Sequence, residues 1–173
     1  TEFGLAHLGP IGADSSIIVL RADSVSPGPE SRTIAGTAGR MTRCLDELGL
    51  DAALLADIDA TPERLRGRRL VVLPYNPSIP TDVAATLTDF VSSGGKVMAF
   101  YSMPDPLPAL LGVRKGEWLH PEAGPTRGIR RIGNGIEGQP EFVGQASWNV
   151  QLAVPIAGRS RAIAVWRDAV GQD

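Results

Sequence analysis

The stretch GGKVMAFYSMPDP, residues 94–106, decides how this chain of 173 residues is interpreted. Its two glycines are placed to end a helix, and the short apolar run that follows predicts a buried strand. Ser102 comes directly after that run, where many α/β enzymes place their nucleophile. The stretch therefore predicts the end of a helix, a strand and a loop, and it makes Ser102 a candidate catalyst.

Three more apolar runs precede this one, and helical patterns separate them. SSIIVLRAD at 15–23, DAALLAD at 51–57 and LVVL at 70–73 are short and apolar at their centres, as strands buried on both faces of a parallel sheet are. Apolar residues in 33–48 and 81–93 recur at spacings of three and four, which predicts amphipathic helices. This alternation predicts an α/β fold, a flavodoxin-like or Rossmann-like parallel sheet with helices on both faces.

The single cysteine of the chain, Cys44, falls within the first helical pattern, between Met41 and Leu48. A small apolar side chain at such a position is more often buried than displayed, so we expect Cys44 in the core. One cysteine also excludes a disulfide within the chain. Gly49 is placed to end the helix.

The pattern changes beyond about residue 113, where glycine and proline become frequent and helical periodicity disappears. The remaining apolar runs predict short strands joined by tight turns, and the sequence AGRS predicts a hairpin between 150–156 and 161–166. We expect one domain over residues 1–173, with a βαβ core at 15–113 and a β-rich extension at 114–173. Because the chain opens on Thr1 rather than on methionine, we expect it to be a processed or trimmed fragment of a longer protein.

The composition of the chain limits the kinds of partner that it is expected to bind. Apolar residues make up 43% of the chain, and 17 basic against 19 acidic residues leave a net charge of −2. Such a balance offers no excess of positive charge for nucleic acid, and no apolar run is long enough to span a bilayer. We therefore expect neither a nucleic-acid nor a membrane partner, and the compartment stays undetermined.

Known cofactor motifs are missing from the sequence. No G-x-G-x-x-G follows the first strand and no G-x-x-x-x-G-K-[ST] occurs, so a nucleotide cofactor is not expected. Two histidines without H-x-x-E or H-E-x-x-H spacing give no support for a metal site. We expect no cofactor and no metal.

The best candidate for a ligand site lies at the carboxyl ends of the predicted strands. In an open α/β sheet, the loops that follow the strands converge at this edge and bind ligands. The alternative is that these are ordinary turn residues whose prolines set the shape of the loops. The polar side chains that this rule selects are Asp23, Tyr75, Asn76, Ser102 and Asp105.

Catalysis by Ser102 would need a base within hydrogen-bond reach and small neighbours that permit a sharp turn. His120 is the candidate base, with Glu117 or Glu122 to orient it. The neighbour Tyr101 is bulky, which disfavours the turn. A serine hydrolase using Ser102 and His120 stays open as an alternative function.

The segment GQASWNVQ at 144–151 places Trp148 beside Asn149. An aromatic ring next to an amide is a pairing that binds sugar rings, although indoles more often anchor a core. Trp148 and Asn149 are therefore candidate carbohydrate contacts.

Several segments together resemble a known family: LDELGLDAALLADID, LVVLPYNPSIP, FVSSGGKVMAFYSMP with LLGV, GQPEFVGQASWN and IAVWRDAVG. They resemble the class I glutamine amidotransferase-like domain of bacterial family 10 glycosidases, which is related to the trimerisation domain of some β-galactosidases. The resemblance covers roughly residues 15–171. It implies that Ser102 stands where active amidotransferases carry a cysteine in a glycine-rich turn.

The resemblance also implies a role. Without that cysteine and without a convincing triad histidine, it implies a non-catalytic accessory domain of a glycoside hydrolase, which packs against other domains of the same polypeptide. It leaves open a homo-oligomer and contact with carbohydrate. A small-ligand binding domain that uses Asp23, Asn76 and Ser102 is the remaining alternative.

Overall fold

The structure, a computed structural model, describes four stretches of the chain: residues 15–119, 126–134, 137–147 and 150–167. The chain divides into two compact units, one that ends at Leu110 and one that begins at Leu111. The division lies close to the change of sequence pattern near residue 113. The expectation that residues 1–173 form a single domain stays a prediction.

The first unit alternates strands and helices, as the sequence predicts. Its strands are β1 (Ile17–Arg21), β2 (Ala52–Ala56), β3 (Leu70–Leu73) and β4 (Lys96–Ala99). Its helices are α1 (Ser31–Glu47), α2 (Pro62–Leu65), α3 (Thr81–Ser92) and α4 (Leu107–Leu111), and a 3-10 turn covers Asp57–Asp59.

The four strands of this unit form one parallel sheet in the order β2-β1-β3-β4. Ile17 of β1 lies beside Ala52 on one side and Leu70 on the other, and Leu70 in turn lies beside Lys96. This is the order of the first four strands of a flavodoxin-like sheet and differs from the classic Rossmann order. The predicted parallel α/β sheet is confirmed, and the strand order favours the flavodoxin-like alternative.

The core of the first unit forms around the two central strands. Val19 and Val71 have no exposed surface, as expected for strands covered on both faces. Ala38 and Leu45 of α1 pack with Ile17 and Val19 in one apolar cluster. Right-handed crossovers leave β1 and β3 in opposite directions along the sheet, which places α1 and α3 on opposite faces.

The prediction that Cys44 is buried is wrong, because its thiol is exposed. The buried stripe of α1 runs through Ile34 and Ala38 and continues through Met41 and Leu45. At about 100° of rotation per residue, Cys44 lies roughly 90° around the helix from the centre of that stripe. Met41 and Leu45 are nearby in sequence and lie in the buried stripe, but the side chain of Cys44 points away from that stripe.

The second unit contains antiparallel strands, which confirms the predicted β-rich character of the C-terminal segment. β5 pairs with β8, and a separate sheet has the order β7-β6-β9. The strands are β5 (Val113–Leu119), β6 (Thr126–Arg131), β7 (Phe142–Ser147), β8 (Val150–Pro155) and β9 (Ala164–Arg167).

The predicted hairpin between 150–156 and 161–166 is wrong, because β8 pairs with β5 and β9 pairs with β6. Ser160 explains the difference. Its hydroxyl donates to the Gly112 carbonyl at 2.6 Å and accepts from the Ile156 N–H at 3.1 Å. These bonds fasten the turn beside the start of β5, so the chain leaves it toward a different sheet.

Candidate functional site

The candidate site lies at the carboxyl edge of the parallel sheet, at the point where the strand order reverses between β1 and β3. The loops that follow β1, β3 and β4 emerge at this edge, and ligands of open α/β sheets bind at such a point. Two contacts join the loop that follows β3 to the loop that follows β4. The Ser102 hydroxyl donates to the Asn76 carbonyl oxygen at 2.9 Å, and the rings of Tyr75 and Tyr101 lie 4.6 Å apart, edge to face.

Asp57, directly after β2, is buried to 2% exposure at the same edge. Its carboxylate accepts from the N–H groups of Asp23, Ser24 and Ile58, each at 2.9 Å, and from the Ser24 hydroxyl at 2.5 Å. Three of these donors reach Oδ1 and the Ser24 hydroxyl reaches Oδ2, so both carboxylate oxygens are engaged. Asp57 therefore holds the loop after β1 in place.

Sequence reasoning did not select Asp57, although it follows a predicted strand. The rule that selected Asp23 after β1 applies equally to the first polar residue after β2. Its burial depends on Ser24, which is 33 positions earlier in the chain.

Asp23 is exposed, and its carboxylate is engaged by a neighbour. The Arg21 guanidinium donates to it in a two-pronged contact at 2.6 and 2.5 Å. The hydrogen bond to Asp23 raises the pKa of Arg21, although partial burial acts in the opposite direction. Asp23 lies at the predicted edge, but its role there is an ion pair with Arg21.

Tyr75 is buried to 8% exposure and packs beside Ala22 and Ile34. Its phenol donates a short hydrogen bond to the Glu30 carboxylate. Burial first, and then the bond to Glu30, raises the pKa of Tyr75 above its ordinary value. The phenol therefore stays protonated near neutral pH, where it is a hydrogen-bond donor and not a base.

Asn76 is the least explained side chain of the site. It is 1% exposed, and neither its side-chain amide nitrogen nor its side-chain amide oxygen has a hydrogen-bond partner among the residues that the structure describes. Leaving one buried polar group unsatisfied costs about 1–3 kcal/mol. The amide can both donate and accept, so Asn76 has the chemistry of a recognition group that is not yet used.

Ser102 does not occupy the strained position of its loop. The Ser102 N–H donates to the Phe100 carbonyl at 2.7 Å across Tyr101, whose φ is +65°. Such a three-residue turn with positive φ is rare and strained. The strain therefore falls on Tyr101, and the Ser102 hydroxyl is engaged by the Asn76 carbonyl.

The remaining candidates are not brought to this cluster. Asp105 is exposed, and no contact among the described residues joins it to Asn76 or Ser102. Glu117 is exposed on β5. The other candidates, His120, Glu122, Trp148 and Asn149, lie outside the described residues, so the predicted Ser102–His120 pair and the predicted sugar contacts stay predictions.

The described stretches contain no group of three or more histidine, cysteine, aspartate or glutamate side chains arranged to hold a metal ion. Within the same stretches, no helix combines the length and the apolar character needed to cross a bilayer.

The site and the strand order define a flavodoxin-like α/β unit with a crevice at its carboxyl edge, and solved structures share the fold. A scan of known protein families and a search of curated proteins found no match. The chain is similar to a β-galactosidase from Rahnella sp. R3, with a TM-score of 0.63, 15% sequence identity and 91% of this chain covered.

A β-galactosidase from Bifidobacterium adolescentis is also similar, with a TM-score of 0.48, 15% identity, and 91% of this chain and 79% of that chain covered. This chain spans about a quarter, 26%, of the Rahnella chain. At this identity the Rahnella match shows the fold, which is shared with one part of a β-galactosidase chain.

Proposed function

We propose that this chain is a non-catalytic, amidotransferase-like accessory domain of a glycoside hydrolase. The observation that carries the proposal is the fold match, which covers 91% of this chain and only 26% of the Rahnella β-galactosidase. A fold that recurs as one part of a longer chain supports partners in the same polypeptide. Homo-oligomer formation is the related role that the family resemblance implies.

The chemistry of the carboxyl edge supports a non-catalytic role. The Ser102 hydroxyl is held by a backbone carbonyl. Three of the four donors to Asp57 come from the loop after β1, and the fourth is the Ile58 N–H of its own turn. Tyr101, which carries the strained turn, has a hydroxyl, but no base among the described residues makes a hydrogen bond to it. None of these groups is both free and placed to activate another.

The outer strand of the sheet supports a packing role. β4 pairs with β3 alone among the described strands. Met98 and Phe100, on or beside β4, are 46% and 43% exposed. Apolar side chains of this size on a sheet edge favour contact with another protein surface.

Recovery of the full reading frame tests this proposal. We expect the longer protein to hydrolyse a nitrophenyl β-galactoside, and we expect the 173-residue chain alone to hydrolyse neither that glycoside, nor nitrophenyl acetate, nor glutamine. Ser102→Ala in the 173-residue chain should then change nothing. Ester hydrolysis that Ser102→Ala abolishes would instead support the serine hydrolase alternative.

The unpartnered amide of Asn76 favours a second candidate function, the binding of a small polar ligand at the carboxyl edge. D-galactose and acetamide are suitable probes, because each offers a donor and an acceptor to an amide. Binding should shift the side-chain amide resonances of Asn76 in NMR spectra, and Asn76→Leu should abolish binding in the folded protein. If neither probe shifts these resonances, the second candidate is rejected.

A further inference from the structure

A groove of about 410 Å³ lies at the amino edge of the sheet, between α2 and α3 and away from the candidate site. Its volume is within the range of small-molecule sites. Leu65 and Phe90 form a buried apolar part of its lining, at 2% and 8% exposure. We call it the amino-edge groove and define it by Leu65, Arg66, Arg68, Thr86, Asp89 and Phe90.

Thr86 is the first feature that points to a ligand. It lines the groove and is 8% exposed. Thr88 and Ser92, on the same helix, donate their hydroxyl hydrogens to helix carbonyls at 2.9 and 2.8 Å, which is the usual arrangement in a helix.

Thr86 lacks such a bond. Its hydroxyl has no hydrogen-bond partner in the part of the chain that the structure describes. The side-chain atoms that are fully buried without a partner do not include the Thr86 oxygen. The hydroxyl therefore opens onto the groove, where a ligand atom could accept its hydrogen bond.

The second feature is a local concentration of positive charge in a chain whose net charge is −2. Glu63, Asp89 and Asp51 oppose it, the last through a carboxylate that accepts from the Ser15 hydroxyl at 2.7 Å. Fields of this kind attract anions and raise their local concentration. The positive side chains at this edge are Arg64, Arg66, Arg68, Arg69 and Lys96.

The third feature is the anchoring of Arg68. Its guanidinium donates to the Ser15 carbonyl at 2.5 Å and to the Arg64 carbonyl at 3.3 Å. These bonds hold a positive charge at the groove with little loss of side-chain entropy on binding. Arg66, by contrast, is exposed beside the end of α2 and is able to meet a ligand directly.

From these features we propose that the amino-edge groove binds a small molecule that carries an oxyanion. A phosphate, sulfate or carboxylate group accepts hydrogen bonds from Arg66 and from the Thr86 hydroxyl, and an apolar body contacts Leu65 and Phe90. Arginine suits this role because its planar donors match the geometry of these groups.

Titration of the 173-residue chain with phenyl phosphate, followed by backbone amide NMR, tests the proposal. We expect saturable shifts at Gly67 and Gly95, which line the groove, and weaker binding as salt is added. Benzoate in place of phenyl phosphate distinguishes a carboxylate from a phosphate ligand, and binding of either supports the proposal. Benzyl alcohol, which is neutral, should not bind; equal binding by it, or no saturable shift with either anion, would overturn the proposal.

Matched substitutions locate the site. Arg66→Gln should weaken binding about tenfold, since a hydrogen bond to a charged group is lost. Arg43→Gln removes the same charge from an exposed position on α1 and should leave affinity unchanged. Equal weakening by both variants would mean a diffuse charge effect and would contradict the proposal.

Two further variants in the lining change affinity in opposite directions. Thr86→Val keeps the shape of the side chain, so the chain should fold with an unchanged or higher Tm while binding weakens. Asp89→Asn removes a negative charge from the lining and should tighten binding. If Thr86→Val fails to fold, Arg66→Gln and Asp89→Asn still decide the question, because an unchanged affinity in both would refute the assigned roles.

Discussion

Two loops at the carboxyl edge of the sheet each bury one polar side chain, and they satisfy it very differently. Asp57, after β2, is 2% exposed and accepts four hydrogen bonds. Asn76, after β3, is 1% exposed and makes none through its amide. Burial does not by itself assign a role to a polar residue. Its hydrogen bonds distinguish a buried polar group that supports the structure from one that has no partner.

The two residues therefore differ in the sign of the change in stability that is expected when each is replaced. Removing a buried group that is fully hydrogen-bonded leaves its donors unsatisfied, whereas replacing an unpartnered group by an apolar one removes a cost. Proteins retain such costs mainly at functional sites.

The largest expected effect is that of Asp57→Ala. The substitution leaves the N–H groups of Ser24 and Ile58 and the Ser24 hydroxyl without their acceptor. The free energy of unfolding should therefore fall by about 3 kcal/mol. Urea unfolding followed by circular dichroism measures it. Asp59→Ala is the control, because Asp59 is exposed in the same 3-10 turn and should change stability by less than about 0.5 kcal/mol. Equal losses of stability in the two variants would show that the hydrogen bonds of Asp57 contribute no more than an exposed aspartate does.

The next effect has the opposite sign. Asn76→Leu replaces an unpartnered amide by an apolar group of similar size, so the free energy of unfolding should rise by about 2 kcal/mol. Asn76→Asp should instead destabilise the protein, because a buried carboxylate there would have no donor. The same urea experiment measures both variants. Destabilisation by Asn76→Leu would show that the amide has a partner, and the contrast with Asp57 would then disappear.

The first unit was largely predictable because its signals are local. Apolar runs such as LVVL at 70–73 and the stripe through Ile34 and Ala38 report burial from spacing alone. The same logic placed Asn76 at the carboxyl edge. Asp57 was missed because an aspartate after a strand looks the same in sequence whether or not a distant loop, here the one that contains Ser24, closes over it.

The errors in the predictions have a common cause. The sequence pattern does not specify the direction in which a side chain points or the strand with which another strand pairs in the folded chain. Cys44 is flanked by apolar residues of the stripe, but the rotation of the helix turns it outward. The segment 150–156 has the composition of a hairpin strand, but Ser160 fastens the turn to Gly112 and β8 pairs with β5. The lack of any partner for the Asn76 amide is likewise a property of the folded chain, and no spacing in the sequence could indicate it.

The smallest expected effect concerns Tyr75. It lies between the cases of Asp57 and Asn76, because its ring is buried and its hydroxyl donates to an exposed acceptor, Glu30. Tyr75→Phe keeps the ring packing and loses one hydrogen bond, so stability at neutral pH should fall by about 1 kcal/mol. The pKa of Tyr75 is raised in the folded protein, chiefly by burial. Its contribution to stability is therefore complete below the unfolded pKa of about 10 and declines as pH rises from there toward the folded pKa.

Unfolding of both proteins across this alkaline range measures the effect. The difference in stability between the native chain and Tyr75→Phe should shrink steadily above about pH 10. Tyr101→Phe is the control, since it removes a hydroxyl from a ring that is 58% exposed and should change stability by less than about 0.5 kcal/mol. A constant difference between the native chain and Tyr75→Phe across the range would mean that the Tyr75 hydroxyl ionises as easily in the folded chain as in the unfolded one. That result would show that the Tyr75 hydroxyl is not a hydrogen-bonded structural group of the kind that Asp57 represents.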